Sequence, residues 1–310
     1  MGTLVGHVAP GFGFLLIGLW HLFNHIKLHS LHPKSYVAPP WFPTPFFRYL
    51  EPILIILGSL ASIAMELVIG PEAHQPFDTD GTIPSNHLHN FEHASISLTF
   101  LIYAAFAIAL DRAKLRQRDG MTLLLGAVAF GQQLLMFHLH SADHMGVEGQ
   151  YHWLLQTVIV VSLATTLIGI RLPRSFLVSF VRSASIAFQG VWFMVMGFML
   201  WTPSLIPKGC FMNLEEGHRV VRCHSEEALH RARSLVNIEF SWYMAAMAVF
   251  AMLVYMFLSK RYPEAPEYLP LVKEEGVQED DEDLESQKKF GESDSFVQIG
   301  KGMRNLELER

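Results

Sequence analysis

Seven apolar runs, each long enough to cross a bilayer, settle the fold before any motif is read. A membrane-spanning helix needs about 20 residues at 1.5 Å rise. Runs of that length lie near Leu4–Lys27, Phe46–Ile69, His87–Leu110, Met121–Ser141, Tyr151–Ile170, Phe176–Trp201 and Leu229–Leu258. The fold class is therefore all-α. A seven-transmembrane helix bundle occupies residues 1–262, and a disordered acidic tail occupies residues 263–310. Composition agrees: 51% of the 310 residues are hydrophobic and only 17% are charged, against about 25% charged in soluble domains. Much of the acid behind the net charge of −6 sits in the tail stretch KEEGVQEDDEDLESQKK.

Lys and Arg in short loops set the orientation. DRAKLRQRDG lies between spans 3 and 4. Arg171, Arg174 and Arg182 fall between spans 5 and 6, Lys27, Lys34 and Arg48 around the first loop, and Lys260-Arg261 after span 7. The opposite loops PEAHQPFDTDGTIPSN and ADHMGVEGQ carry no Lys or Arg, and only the loop between spans 6 and 7 is mixed. The expected topology has the N-terminus exoplasmic and the C-terminus cytosolic, in the secretory pathway or plasma membrane. Cys210 and Cys223 then face an oxidising compartment, where a bridge is expected. The N-terminus lacks the basic region of a cleaved signal, and Gly6 breaks the myristoylation pattern. No basic face with interleaved aromatics appears, which argues against nucleic acid. YLPL at Tyr268–Leu271 has the form of a tyrosine-based sorting signal, so cytosolic sorting or signalling proteins are expected partners of the tail.

Two related clusters stand out, HLHNFEH at 87–93 and FHLHSADH at 137–144. The topology puts the first at the start of span 3 and the second at the end of span 4, at one membrane depth. His89 and His93, like His140 and His144, are four residues apart and share a helix face. Glu92 and Asp143 each precede the last histidine. His7, Glu66, His152 and His230 add an ionisable group near the same depth from spans 1, 2, 5 and 7. His230 begins a polar stripe with Ser234, Asn237 and Ser241. Ionisable groups inside a membrane call for partners, and imidazole with carboxylate suits a divalent transition metal, zinc first. The expected ligand set is His7, Glu66, His89, His93, His138, His140, His152 and His230, with Glu92 or Asp143 as a base for metal-bound water. That chemistry suits hydrolysis of a lipid-like substrate arriving from the bilayer. At the cytosolic end the histidines come only from span 1 and its loop, which disfavours a two-haem carrier. Glu239 of span 7 is expected to face Gln189 of span 6. No nucleotide-binding loop, serine-hydrolase elbow or His-Glu-x-x-His is present.

Two other readings compete. A proton-coupled transporter or channel would call for broken helices or inverted repeats, which the histidine clusters do not supply. A non-catalytic trafficking or stress-response scaffold would act through the tail.

The N-terminal MGTLVGHVAPGFGFLLIGLWH, with Met65-Glu66, Asn90–His93, Phe137–His140 and His152 in HWLLQ, resembles the transmembrane protein 45 family, and within it a plant-like member. The resemblance implies a seven-span fold in endomembranes or at the cell surface, and an association of plant relatives with pathogen response. Carried over by position, it singles out His7, Glu66, His93, His138, His140 and His152.

Overall fold

The computed structural model describes residues 3–71, 74–139, 146–215 and 218–264. Among the described residues, seven helices are long and apolar enough to cross a membrane. They are α1 (Leu4–Leu31), α2 (Leu50–Ala64, running on as a π-helical turn Met65–Ile69), α3 (Leu88–Arg112), α4 (Arg118–Leu139), α5 (Gly146–Arg171), α6 (Phe176–Trp201) and α7 (Glu226–Arg261). The expected seven-helix bundle is what forms. The acidic tail from residue 265 on lies outside the described residues.

Neighbours in sequence pack side by side from α2 through α6, and α1 packs against α6. α7 lies across α1, α5 and α6. Its 36 residues make about 54 Å of helix, well beyond a hydrocarbon core of about 30 Å.

The α1–α6 contact is the closest. A β-carbon at position 18 would overlap the Ala187 backbone, and one at position 190 would overlap Leu15. Small residues are what let helix backbones approach inside a membrane, where lipid removes the hydrophobic drive for helices to associate. Around this seam the core fills with Phe137, Tyr151, Leu155, Trp192, Phe193 and Met196 near the end where α1 begins. Leu22, Ile26, Phe180, Ala251 and Leu258 pack at the other end. That second end is closed by the α1–α2 loop, which buries Tyr36, Trp41 and Phe42.

Between α6 and α7 the chain forms a hairpin rather than an open loop: β1 (Cys210–Glu215) pairs antiparallel with β2 (His218–Cys223). Cys210 and Cys223 oppose each other in register and are disulfide-bonded, as expected. Arg222 Nε donates to Glu215 Oε1 at 2.8 Å, and Val221 enters the core. Arg182 needs a correction. Read as a loop charge, it lies inside α6 and is buried. It is therefore no part of the loop charge that orients the chain.

Replacing Gly18 or Gly190 by Leu is expected to overpack the seam and lower stability by about 1–3 kcal/mol. A fall in the thermal unfolding midpoint of the purified protein checks this. Gly13→Leu is the matched control, because nothing lies within 4 Å of a β-carbon there.

Candidate functional site

Glu66 is fully buried in the π-helical turn that ends α2. Such turns, with one extra residue, recur at functional sites. Its Oε2 accepts from Asn90 Nδ2 at 2.8 Å, and its Oε1 lies 3.3 Å from His93 Nδ1. His89 meets His93 edge-on, with ring centroids 6.3 Å apart.

His7 and His152 form a second pair, with centroids 6.0 Å apart. His7 stacks on Trp201 at 4.4 Å and His152 on Phe137 at 5.5 Å. His7 Nδ1 is 3.0 Å from the Thr3 carbonyl oxygen, and His152 Nδ1 is 3.1 Å from that of Glu148. A carbonyl oxygen only accepts, so in each ring Nδ1 carries a proton. In the neutral ring, Nε2 is then an electron-pair donor.

His138 is exposed on α4, with Nδ1 3.3 Å from Gln156 Oε1, and Gln156 Nε2 donates to the Phe137 carbonyl at 3.2 Å. The two side chains line an apolar groove of about 450 Å³ between α4 and α5, walled by Leu135, Trp153 and Val160.

The predicted ligands thus sort into separate groups. Among the described residues, no three His, Cys, Asp or Glu side chains come together as a metal site. His140 and Asp143 lie outside the described residues, as do all of residues 140–145. Glu92 is half-buried on α3. His230 does not join the others. α7 buries Ala232 and Val236, so the stripe His230, Ser234, Asn237 and Ser241 falls on its exposed side. Glu239 pairs with Tyr151 rather than Gln189: the Tyr151 hydroxyl donates to Glu239 Oε2 at 2.7 Å. Gln189 is taken by Ser162, whose Oγ accepts from Gln189 Nε2 at 2.7 Å.

That last bond belongs to a buried polar ladder along α5 and α6. Ser162 Oγ is 2.9 Å from Ser185 Oγ, and Thr166 Oγ1 donates to the Ser162 carbonyl at 2.7 Å. Gln189 Oε1 and, on α4, Gln133 Oε1 are buried without a partner among the described residues.

The ladder leads to a cluster at the other end that the sequence reading did not assemble. His21 Nε2 donates to Glu51 Oε1 at 2.7 Å, and Glu51 Oε2 accepts from the Phe42 amide at 3.0 Å. Ser179 Oγ donates to the Phe176 carbonyl at 2.9 Å. The Tyr36 hydroxyl is hydrogen-bonded to Ser179 Oγ and, at 2.9 Å, to His25 Nδ1. Arg182, buried on α6, lies within electrostatic reach of Tyr36, Tyr103 and Glu51. Two signals could have found this cluster: the spacing of four between His21 and His25, and a charge inside the apolar run Phe176–Trp201.

Burial pushes the Tyr36 phenol up to about 12, an effect only partly offset by Ser179 and Arg182. The folded protein holds this proton more tightly than the unfolded chain. The stability it contributes is therefore present below pH 10 and lost as pH rises toward 12. Ultraviolet titration should show a late-ionising tyrosine that Tyr36→Phe removes.

The sequence pattern of a family of unknown function, DUF716, matches residues 119–256, from α4 into α7. The chain is also similar to transmembrane epididymal protein 1A of Mus musculus. The two are 23% identical over 216 residues, covering 66% of this chain and 68% of that one. With the seven helices, these likenesses describe an integral, multi-pass membrane protein.

Proposed function

We propose that this protein carries protons, or a small polar solute with them, between the two ends of its bundle. The observation behind the proposal is the buried ladder of Ser162, Thr166, Ser185 and Gln189 between the His7–His152 pair and the His21–Glu51 pair. Polar side chains inside a membrane raise the energy of the fold unless paired, and in transporters such residues mark proton and ion paths. Gln133 Oε1 and Gln189 Oε1, buried without a partner among the described residues, are acceptors that water can use. In this reading the α1–α2 loop end faces the cytosol. The Cys210–Cys223 bridge at the opposite end supports that orientation, since such bonds persist in oxidising compartments.

The test is proton flux into proteoliposomes loaded with a pH-sensitive dye. Wild-type protein should acidify the lumen faster than empty vesicles when a gradient is imposed. Gln189→Leu together with Ser162→Ala should slow it about tenfold or more. Flux equal to that of empty vesicles sinks the reading.

A second reading draws on the set tautomers of His7 and His152. Imidazoles held at Nδ1 by an oxygen acceptor are oriented for metal binding through Nε2. In this reading the pair, with His140 added on the sequence motif alone, holds one divalent metal, zinc first. Glu92 or Asp143 acts as base on a lipid-like substrate seated in the groove beside His138. Elemental analysis decides it: near one metal per chain in the wild type, lost in His7→Ala plus His152→Ala. Metal-free wild-type protein after purification without chelator overturns it.

A further inference from the structure

Three guanidiniums converge at the bundle end that carries the α1–α2 and α3–α4 loops. Arg48, just before α2, grips Asp111 of α3, with Nε donating to Oδ2 at 3.0 Å and Nη2 to Oδ1 at 3.1 Å. Arg118, the first residue of α4, reaches the same carboxylate, with Nη1 3.3 Å from Oδ1. Arg112 lies over the Tyr49 ring at 5.4 Å, and Arg48 lies over that ring at 5.7 Å. The Tyr49 hydroxyl in turn donates to Asp111 Oδ2 at 2.9 Å. One carboxylate and one aromatic ring thus hold three cations together. The Asp111 side chain is only 10% exposed, while Arg48 and Arg112 are exposed around it. Arg118 also lies 3.5 Å from Asp119, but Arg112 forms no ion pair among the described residues. The turn after α3, closed by the Lys114 amide on the Asp111 carbonyl at 3.1 Å, adds the exposed Lys114 and Arg116.

Like charges held this close repel one another unless an anion joins them. Beside them stand bare apolar side chains: Phe46 is 92% exposed and Phe47 is 69% exposed, and Leu115 sits exposed between Lys114 and Arg116. A soluble anion would pair the cations and leave the phenylalanines in water. A neutral lipid would cover the phenylalanines and leave the cations unpaired. A lipid with several phosphates in its headgroup answers both. We propose that Arg48, Arg112, Lys114 and Arg116 bind the headgroup of a phosphoinositide, while Phe46 and Phe47 enter its acyl chains. Guanidinium forks take phosphate oxygens in pairs. Basic clusters directly beside a membrane helix recognise lipids of this class in the cytoplasmic leaflet, which is the side this end faces in the orientation taken above. The assignment rests on the charges and apolar side chains of this end and on neither functional reading.

The test uses the full-length protein in uncharged detergent and a fluorescent short-chain phosphatidylinositol bisphosphate as the probe, read by anisotropy. Wild-type protein should bind it saturably, and added salt should weaken the binding. Arg112→Gln should weaken it about fivefold, the effect of one basic group beside an anionic lipid, and Arg112→Gln with Lys114→Gln about twenty-five-fold. Arg171→Gln with Arg174→Gln, two exposed cations of the α5–α6 loop at the same end, should leave the affinity unchanged. Phosphatidylserine at the same total negative charge should compete poorly. Phe46→Ser with Phe47→Ser should weaken binding of the lipid and leave binding of soluble inositol trisphosphate as it was. Absence of saturable binding, equal competition by phosphatidylserine, equal losses in the Arg112–Lys114 and Arg171–Arg174 variants, or an undiminished lipid affinity in the Phe46–Phe47 variant each overturn the proposal. Should a variant lose its fold, seen as a lower thermal unfolding midpoint, the wild-type comparison of the phosphoinositide with phosphatidylserine still decides.

Discussion

The backbone contact between α1 and α6 is the constraint on which the rest of the bundle depends. The two helices are far apart in sequence and share no loop, and Gly18 and Gly190 bring them within the reach of a missing β-carbon. That approach seats α1 against the most buried helix of the protein. His7, His21 and His25 come inward with it, at two depths of one helix. It also sets Tyr36, which follows α1, against Ser179 on α6. Without the seam, the histidines of α1 would face lipid, where each is costly.

The polar interior is the second constraint, and the two ends meet it differently. Near the start of α1, Glu66 is held by Asn90 and His93, and the His7 and His152 rings are held at Nδ1 and stacked on aromatic faces. Near the α1–α2 loop, a hydrogen-bonded chain links His25 through Tyr36 and Ser179 to the Phe176 carbonyl, so α1, its loop and α6 are tied by one run of polar groups.

Most of the fold was legible in the sequence because span length is a one-dimensional property. All seven helices fall on the apolar runs, and α6 coincides with its run at both ends. The hairpin was not legible, since Lys208, Arg219 and Arg222 made the segment read as a loop. The Cys210–Cys223 bridge was legible from sidedness alone. The functional side chains were harder to place, because shared depth is not shared direction. His230 sits near the depth of His152 but on the exposed side of α7. Glu239 was placed opposite Gln189, but the closer partners Tyr151 and Ser162 took both groups. Arg182 was misplaced for a related reason. Counting charge near a span end treats it as a topological marker, and the arginine lies two turns inside the helix.

The misplacement of Arg182 shows how a membrane sequence should be read. Loop arginines orient a chain because they stay in water and need no specific partner. An arginine inside a span must find its acceptors in the protein or in a ligand. Here Glu51 could have been that acceptor. Instead it bonds His21 and the Phe42 amide, tying α1 and the α1–α2 loop to α2. Arg182 and Glu51 therefore act on one another through the field between them and not through a shared hydrogen bond, and the carboxylate serves as the tie between α1, its loop and α2.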